Sequence, residues 1–240
     1  MTGLLTTTDR KLTNTLSNDT CMQPLSPNIP FINATLEVHY VSFKRMSLEL
    51  LIPVPSALKA NYERLLQHGY TVPFPYWAQI WPAATALSIF LNNEDHYVFD
   101  KHVLELAAGL GLPSLVAAAL SAKKVWVSDQ SEEAVLVLQK EISHNRFNNM
   151  ESRRLDWHQL PEDLQPDVLL LSDINYNPAE FDILFNVLTG FLQKGTLIIL
   201  STPQRLMAKS FISRLMPWCI QQENLQVEEI SVSIYVLKLS

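Results

Sequence analysis

A short loop of one acidic and several small residues is the first part of this sequence that could bind a ligand. The apolar run that starts at Val103 reaches Glu105, and Gly109, Gly111 and Pro113 follow closely. Glycine lets the backbone approach a ligand and adopt angles that other residues avoid. Proline suits the first helical turn, whose unpaired N–H groups favour a negatively charged ligand group. The pattern predicts a nucleoside-cofactor loop; the alternative is a dinucleotide fold, whose three-glycine fingerprint is incomplete here.

Two acidic residues near later strand ends could complete such a cofactor site. Asp129 lies 18 residues after Gly111, where a carboxylate can accept hydrogen bonds from both ribose hydroxyls. It could equally belong to the capping region of a helix that begins at Ser131. Asp156 could accept from an exocyclic amine, and the indole of Trp157 offers an apolar wall for a base. The alternative for this pair is an ordinary loop.

A carboxylate and a phenol share a third turn. Asp173 and Tyr176 lie between the apolar run that ends at Leu171 and the helix that Pro178 opens. A carboxylate beside a phenol at a strand end could hold and orient an incoming amine. The alternatives are a turn acid for Asp173 and a partly buried ring for Tyr176. Earlier in the chain, the aromatic and proline-rich segment 73–82 predicts either a packing plug or a lid over the cofactor pocket.

Composition narrows the class of protein. The chain has 240 residues, 48% of them hydrophobic, and a net charge of −6. The negative charge argues against a nucleic-acid binder, which needs clustered basic residues. Cys21 and Cys219 make neither a disulfide framework nor a metal-ligand spacing, so no metal site and a reducing compartment are predicted. Without a membrane-spanning run or a signal peptide, the sequence predicts a soluble cytoplasmic protein.

Strand and helix patterns alternate from residue 102 onward, which predicts a doubly wound α/β sheet with ligands beyond the carboxyl ends of its strands. A terminal antiparallel strand pair is expected to close the chain. Before this domain, the sequence predicts a flexible arm over 1–30 and a β-hairpin followed by a helix over 31–72. The predicted strands of the main domain are His102–Leu106, Lys124–Ser128, Ser152–Trp157, Asp167–Leu171, Thr196–Leu200, Leu225–Ile230 and Ser233–Leu239, and its later helices are Pro113–Ser121, Ser131–Phe147, Pro178–Gln193 and Pro203–Leu215.

Taken together, these residues resemble the seven-strand S-adenosylmethionine-dependent methyltransferases, and more narrowly the family 16 protein-lysine methyltransferases, which include nicotinamide-methyltransferase-like members. Residues 79–87 are similar to that family's Trp-containing segment, residues 105–111 to its Glu-x-Gly-x-Gly-x-Gly loop, and residues 173–176 to its Asp-x-x-Tyr motif. The resemblance runs from about Tyr76 to the C-terminus and implies a Rossmann-like methyltransferase domain over 73–240. One departure is Ala107, which stands at the first glycine of the loop.

The resemblance implies S-adenosylmethionine as the cofactor and gives the motif residues their roles. Asp173 and Tyr176 take the catalytic position next to the methyl acceptor. With Asp156 added from its strand-end position, the predicted cofactor contacts are Trp81, Glu105, Ala107, Gly109, Gly111, Asp129, Asp156, Trp157 and Ser172.

The function that the resemblance implies is methyl transfer to a protein lysine. The alternatives are a small-molecule amine methyltransferase and a non-catalytic methyltransferase-like binding module, which Ala107 makes conceivable. A DNA or RNA substrate is disfavoured because the Asp173–Tyr176 motif lacks the prolines of the Asp-Pro-Pro-Tyr motif. A lysine amine, with a reference pKa of about 10.4, must lose a proton before it can attack, and a desolvated pocket promotes that loss. Asp173 would oppose it, so its predicted role is orientation and capture, with Tyr176 as acceptor oxygen and cation–π wall and with no general base.

Overall fold

The computed structural model describes residues 35–239, so the predicted flexible arm at 1–30 lies outside the described residues. A two-stranded hairpin precedes a seven-stranded sheet. The strands are β1 (Leu36–Ser42), β2 (Ser47–Pro53), β3 (His102–Leu106), β4 (Lys124–Asp129), β5 (Met150–Arg154), β6 (Val168–Ser172), β7 (Leu197–Pro203), β8 (Cys219–Val227) and β9 (Ile230–Leu237). The α-helices are α1 (Pro55–Gln67), α2 (Pro82–Asn93), α3 (Leu112–Ala119), α4 (Glu132–Asn145), α5 (Phe181–Gln193) and α6 (Lys209–Leu215).

The order of strands in the large sheet is β5-β4-β3-β6-β7-β9-β8. Strands β3 to β7 pair in parallel, whereas β9 runs antiparallel to β7 and to β8. This confirms the doubly wound seven-stranded α/β sheet, the terminal antiparallel pair and the N-terminal hairpin. The chain leaves β3 first toward β4 and β5 and then returns to β6 on the other side. The strand order therefore reverses between β3 and β6, and a ligand crevice is expected at their carboxyl ends.

The central strands are buried on both faces, which explains their nearly continuous apolar sequence. Val103 belongs to one core cluster with residues of α2, α3 and the hairpin, whereas its neighbour Leu104 packs in a second cluster with residues of α5 and α6. Successive residues of these strands face opposite sides of the sheet, so helices pack on both sides. The ends of the strands remain free to carry polar residues. Within residues 35–239, no helix combines the length and apolar character needed to cross a membrane.

The predicted strand Ser152–Trp157 is wrong in its bounds. β5 begins at Met150 and ends at Arg154, and Trp157 opens a 3₁₀ turn instead. The reason is local, because the Asp156 carboxylate accepts a hydrogen bond from the His158 N–H at 2.9 Å and closes that turn.

Two predictions near the C-terminus are also wrong in their bounds. The strand predicted over Leu225–Ile230 begins at Cys219 and turns after Val227, because its exposed and half-buried residues alternate along the sheet edge. The helix predicted from Pro203 begins only at Lys209, since β7 continues through Pro203 and Arg205 adopts an extended conformation.

The free edge of β2 is closed by side chains of α4. The Leu51 N–H donates to Glu141 Oε1, and Asn145 Nδ2 donates to the Glu49 carbonyl at 2.9 Å. His144 adds a contact of 2.6 Å to the Glu49 carboxylate. Glu141 is fully buried, and this burial raises its pKa to about 8, against the lowering effect of the Leu51 and Asn145 bonds. A buried titrating group therefore lies where the hairpin meets the main domain.

The replacement of Glu141 by glutamine is expected to change how stability depends on pH. A raised folded-state pKa means that the stability from this group is greatest in acid and is lost as the pH rises toward 8. Glutamine does not titrate, so the variant should gain stability relative to wild type as the pH rises from about 4.5 to about 8 and no further above that, by at most about 1.4 kcal/mol per pH unit. Denaturant unfolding at several pH values measures this. Parallel curves of the free energy of unfolding against pH for the two proteins would contradict this expectation. Glu105 titrates in both proteins, so its contribution cancels in the comparison.

Candidate active site

The loop after β3 turns through three residues with left-handed backbone angles. Ala107, Gly109 and Gly111 have φ of 52°, 56° and 70°. A Cβ on Gly109 would lie 3.0 Å from the Trp77 carbonyl oxygen, and one on Gly111 would lie 2.6 Å from Leu138 Cδ2. The two glycines are thus required both by conformation and by space, so that α3 can begin at the strand end.

Ala107 adopts a left-handed backbone angle that glycine takes more readily, and its replacement by glycine is expected to stabilise the fold. A non-glycine residue in this region costs about 1–2 kcal/mol, and glycine itself costs about 0.5–1 kcal/mol in unfolded-state entropy. The free energy of unfolding should therefore rise by up to about 1.5 kcal/mol, with cofactor affinity unchanged. Chemical denaturation and calorimetry measure the two quantities. Ala108→Gly is the control, because Ala108 lies outside the left-handed region and should lose stability. Tighter cofactor binding in Ala107→Gly would show instead that the methyl group crowds the cofactor.

Glu105 supports the loop from inside the sheet. Its side chain is fully buried, and its Oε2 accepts hydrogen bonds from the Ser114 hydroxyl and, at 3.0 Å, from the Ser114 N–H. Burial raises the pKa of Glu105 to about 8, although both Ser114 bonds lower it. Glu105 is not among the residues that line the cavity described below. Its geometry ties β3 to the first turn of α3, and its direct contact with a cofactor stays a prediction.

Asp129 fixes the loop to the end of β4. Its Oδ2 accepts from the Gly109 N–H at 3.0 Å, and its Oδ1 accepts from the Ser131 N–H at 2.9 Å. The residue is buried, and this burial raises its pKa while the backbone bonds lower it. A carboxylate offers about four acceptor positions, so capacity remains for donors on a ligand. Asp129 therefore anchors the loop, and its contact with a ribose stays a prediction.

Asp156 and Trp157 form a second polar cluster on the rim. Asp156 Oδ1 lies 2.7 Å from His158 Nδ1, and the other ring nitrogen of His158 lies 2.9 Å from Glu180. Trp157 Nε1 also donates to Glu180, at 3.2 Å. Glu180, which precedes α5, is thus a residue that the sequence did not single out and that fixes the indole against the cavity.

The aromatic segment between α1 and α2 forms the opposite wall. Tyr62, Phe74, Tyr76 and Trp81 follow one another with ring-centroid distances of 5.3, 5.0 and 6.4 Å. Trp81 Nε1 donates to the Tyr76 carbonyl at 3.0 Å. These rings pack on one another, as the packing interpretation expects, and those of Phe74, Tyr76 and Trp81 also line the cavity described below. The role of the segment as a lid over a cofactor stays a prediction.

The Asp-x-x-Tyr turn contains an ion pair that the sequence analysis missed. Asp173 has φ of 56° and is nearly buried, and its two oxygens face the guanidinium of Arg205, with Nη2 to Oδ2 at 2.9 Å and Nη1 bonded to Oδ1. Arg205 follows β7, which pairs with β6 so that Ser172 and Ser201 are partners. The position of Arg205 just after a central strand could have identified it as a candidate site residue, because Asp129 and Asp173 occupy the same kind of position.

Tyr176 stands more exposed beside this pair. Burial of part of its ring raises the pKa of the phenol, and the charges of Asp129, Glu180 and Asp173 raise it further. The phenol therefore stays protonated at neutral pH and can donate or accept a hydrogen bond without acting as a base.

A single cavity of about 800 Å³ brings these groups together at the carboxyl ends of the strands. This volume falls within the range of small-molecule and cofactor sites. Arg205 also lines it. Of the predicted residues, those on its wall are Trp81, Ala107, Gly109, Gly111, Asp129, Asp156, Trp157, Ser172, Asp173 and Tyr176.

Solved structures similar to this chain show the fold alone, since their sequence identity is low. SMU.776, a protein assigned to the methyltransferases and solved with SAH, superposes with a TM-score of 0.59 at 13% identity over 85% of this chain and 56% of its own. The human methyltransferase 10 domain containing protein gives 0.54 at 9% identity over 77% of this chain and 96% of its own.

Proteins related to this chain in sequence indicate its family more specifically than the solved structures do. EFM7 of Cryptococcus neoformans var. neoformans serotype D (strain B-3501A), a protein N-terminal and lysine N-methyltransferase, is 32% identical over 51% of this chain and 46% of its own length. METTL23 of Mus musculus, a histone-arginine methyltransferase, is 28% identical over 60% and 58%. METTL21A of Xenopus tropicalis, a protein N-lysine methyltransferase, is 29% identical over 53% and 61%.

The match to these relatives spans only about half to three fifths of their length. The sequence model of one family matches more than half of this chain, from residue 76 to residue 218, a range that includes Tyr76 and Trp81 of the aromatic wall, the loop after β3 and the Asp173 turn. The chain belongs to the lysine methyltransferase family.

Proposed function

We propose that this protein transfers a methyl group from S-adenosylmethionine to a lysine side chain of another protein. The observation that supports this most is that one cavity joins the loop after β3 and Asp129 to Asp173 and Tyr176. The family points to the same reaction, and the names of EFM7 and METTL21A include lysine methylation.

The residues of the cavity fit this cofactor. The left-handed turns at Gly109 and Gly111 bring backbone close to the ligand space in front of α3. Asp129 has acceptor capacity left for ribose hydroxyls, and the indole of Trp157 is held against the wall by Glu180. When bound, S-adenosylmethionine supplies an electrophilic methyl carbon on a positively charged sulfur.

The reaction needs an aligned, unprotonated amine and little other chemistry. The nitrogen–carbon bond forms as the carbon–sulfur bond breaks, and the sulfur keeps the electron pair. The methylated amine then sheds its extra proton to water. Tyr176 does not remove a proton, because its own pKa is raised. We assign to Asp173 and Tyr176 the orientation of the amine, and we propose that the amine loses its proton to water before it is enclosed.

The mouth of the cavity favours a protein over a small amine as the acceptor. Tyr76 on the wall is 62% exposed, and Tyr176 is 55% exposed. Leu206, next to Arg205 in sequence, is 88% exposed. Apolar side chains left in water around an open site are typical of a surface that another protein covers. The net charge of −6 argues against a nucleic acid in that place. The cysteine pattern fits a reducing compartment, and we propose the cytoplasm.

A labelling experiment tests this function. The protein is incubated with tritium-methyl S-adenosylmethionine and a lysate of cells from which it has been deleted, with Asp129→Ala as the control variant. We expect a labelled protein band whose digest carries the added mass on lysine. Label on a small molecule would favour a small-molecule amine methyltransferase. Label on arginine or on an N-terminal amine would show that the acceptor group is not lysine. Cofactor binding without any label would favour a binding module.

Leu206→Ser is expected to weaken the use of a protein acceptor alone. Removal of an exposed apolar contact should raise KM for the labelled protein several-fold, while the Tm and the affinity for the cofactor stay unchanged because the side chain packs little. Steady-state kinetics with the protein and with a short lysine peptide compare the two cases. An equal effect on both acceptors would place Leu206 inside the site, and no effect on either would remove it from the docking surface.

A further inference from the structure

Asp173 is already neutralised before any acceptor arrives. Both of its carboxylate oxygens bond to the guanidinium of Arg205, in the two-pronged geometry that a planar guanidinium makes with a carboxylate. The Asp173 side chain is 8% exposed and that of Arg205 is 29% exposed, so the pair is shielded on the Asp173 side. Asp173 directly follows β6, Arg205 lies two residues after the end of β7, and both line the cavity.

We propose that Arg205 is a positioning residue that makes the acceptor site select the uncharged form of the amine. This inference rests on the proposed function and concerns how that site discriminates. A lone carboxylate beside the acceptor would act as a counter-ion for the ammonium form, which cannot attack the methyl carbon. With Arg205 bound to it, Asp173 keeps lone pairs for a neutral amine N–H but offers little net charge to a cation.

Two other carboxylates near this turn, Glu180 and Asp129, already have partners elsewhere. From its own turn and the next one come Tyr176 and Glu180, and Glu180 binds Trp157 and His158. Asp129, from the end of β4, accepts from the loop N–H groups, and Tyr76 faces the turn from the aromatic wall. The bond to Asp173 also raises the pKa of the Arg205 guanidinium, so the compensating charge persists at every working pH.

The geometry requires arginine in particular. Asp173 holds a left-handed backbone angle, and its N–H donates to the Ser201 carbonyl at 2.9 Å, so its carboxylate leaves the turn in a fixed direction. A fork of two N–H donors can bond both oxygens at once, whereas a lysine ammonium is a single point of charge. The pair thus fixes the carboxylate as well as neutralising it.

The test compares the pH dependence of wild type and R205M. The acceptor is a synthetic peptide that carries the lysine mapped by the labelling experiment, and the quantity is the single-turnover rate constant at saturating peptide. In R205M the unpaired Asp173 should stabilise the bound ammonium. The pH of half-maximal rate should then rise by about one unit, with about a tenfold loss at pH 7 that shrinks toward pH 10. KM for the peptide at pH 7 should not rise.

Three further variants separate this effect from a loss of structure. R205M/D173N removes both charges and should return the half-maximal pH to that of wild type, and R205K should fall between wild type and R205M. R214M is the matched control, because Arg214 forms its 2.7 Å pair with Asp182 outside the cavity. Its profile should match wild type. If R205M does not fold, R205Q takes its place.

Calorimetry supplies a readout without turnover. In the presence of S-adenosylhomocysteine, wild type should release close to one proton per bound peptide near pH 8, and R205M clearly less. An R205M profile that is lower but not shifted would assign Arg205 a structural role only and overturn the inference. Peptide binding to wild type without proton release would also overturn the inference. If wild type labels no lysine at all, the proposed function itself fails, and the inference fails with it.

Discussion

Asp173→Asn is expected to lower kcat/KM for a lysine acceptor at least tenfold while the affinity for the cofactor stays within a few-fold. A tenfold loss corresponds to about 1.4 kcal/mol of transition-state stabilisation. Asparagine is a clean replacement here, because it tolerates the left-handed angle that Asp173 adopts. It removes the charge and leaves the Arg205 guanidinium uncompensated beside the acceptor, so the amine is less well oriented and the positive charge that develops on its nitrogen during transfer is repelled.

Tyr176→Phe divides the roles of hydroxyl and ring within the same turn. A lost rate would implicate the phenol oxygen, and a retained rate would leave only the aromatic wall. The control is Asp182→Asn, which breaks another aspartate–arginine pair away from the cavity and should leave the rate unchanged. Methyl-transfer kinetics measure the rate, and calorimetry with S-adenosylhomocysteine measures the affinity for the cofactor product. Loss of cofactor binding in Asp173→Asn would move that residue from the acceptor side to the cofactor side.

Asp129→Ala is the second large effect, and it should act on the cofactor. Removal of a hydrogen-bonded charge costs about 1.5–3 kcal/mol, which is about 12- to 150-fold in Kd. The Gly109 and Ser131 N–H groups would also lose their acceptor, so the free energy of unfolding should fall by about 1–3 kcal/mol.

Asp167→Ala is the matched control for this variant. Asp167 likewise accepts from a backbone N–H of the same sheet, that of His102 at 2.8 Å, but it precedes β6 and does not line the cavity. It should lose stability without losing affinity for the cofactor. Equal affinities in Asp129→Ala and wild type would remove Asp129 from the ribose site and leave it the role of loop anchor.

Much of this fold could be predicted because its signals are local. A run such as that from Leu197 to Leu200 must be buried on both faces, and the loop from Glu105 to Gly111 concentrates the residues that a tight turn requires. The same locality explains the errors. β8 carries alternating polar residues, as an edge strand does, so its apolar signal is weak. β5 ends early because the Asp156 side chain bonds to His158, a contact that residue propensities do not take into account.

The part of the site that could not be predicted is the pairing between distant strand ends. Arg205 lies 32 residues after Asp173 and was placed inside a helix, although it follows a strand. Only the register of β6 against β7 brings the two together, and that register is a property of the assembled sheet. Glu180 was missed for the same reason, since its partner Trp157 lies 23 residues away.

The hairpin before the main domain bears on self-association. A strand edge with free N–H and C=O groups is a template onto which another chain can add a strand. On β2, the Leu51 N–H and the Glu49 carbonyl that point away from β1 are already bonded to Glu141 and Asn145. A second copy of the chain would have to displace a buried carboxyl group before it could pair there. The same side chains that hold the hairpin to α4 therefore also protect this edge of β2 from intermolecular strand addition and aggregation.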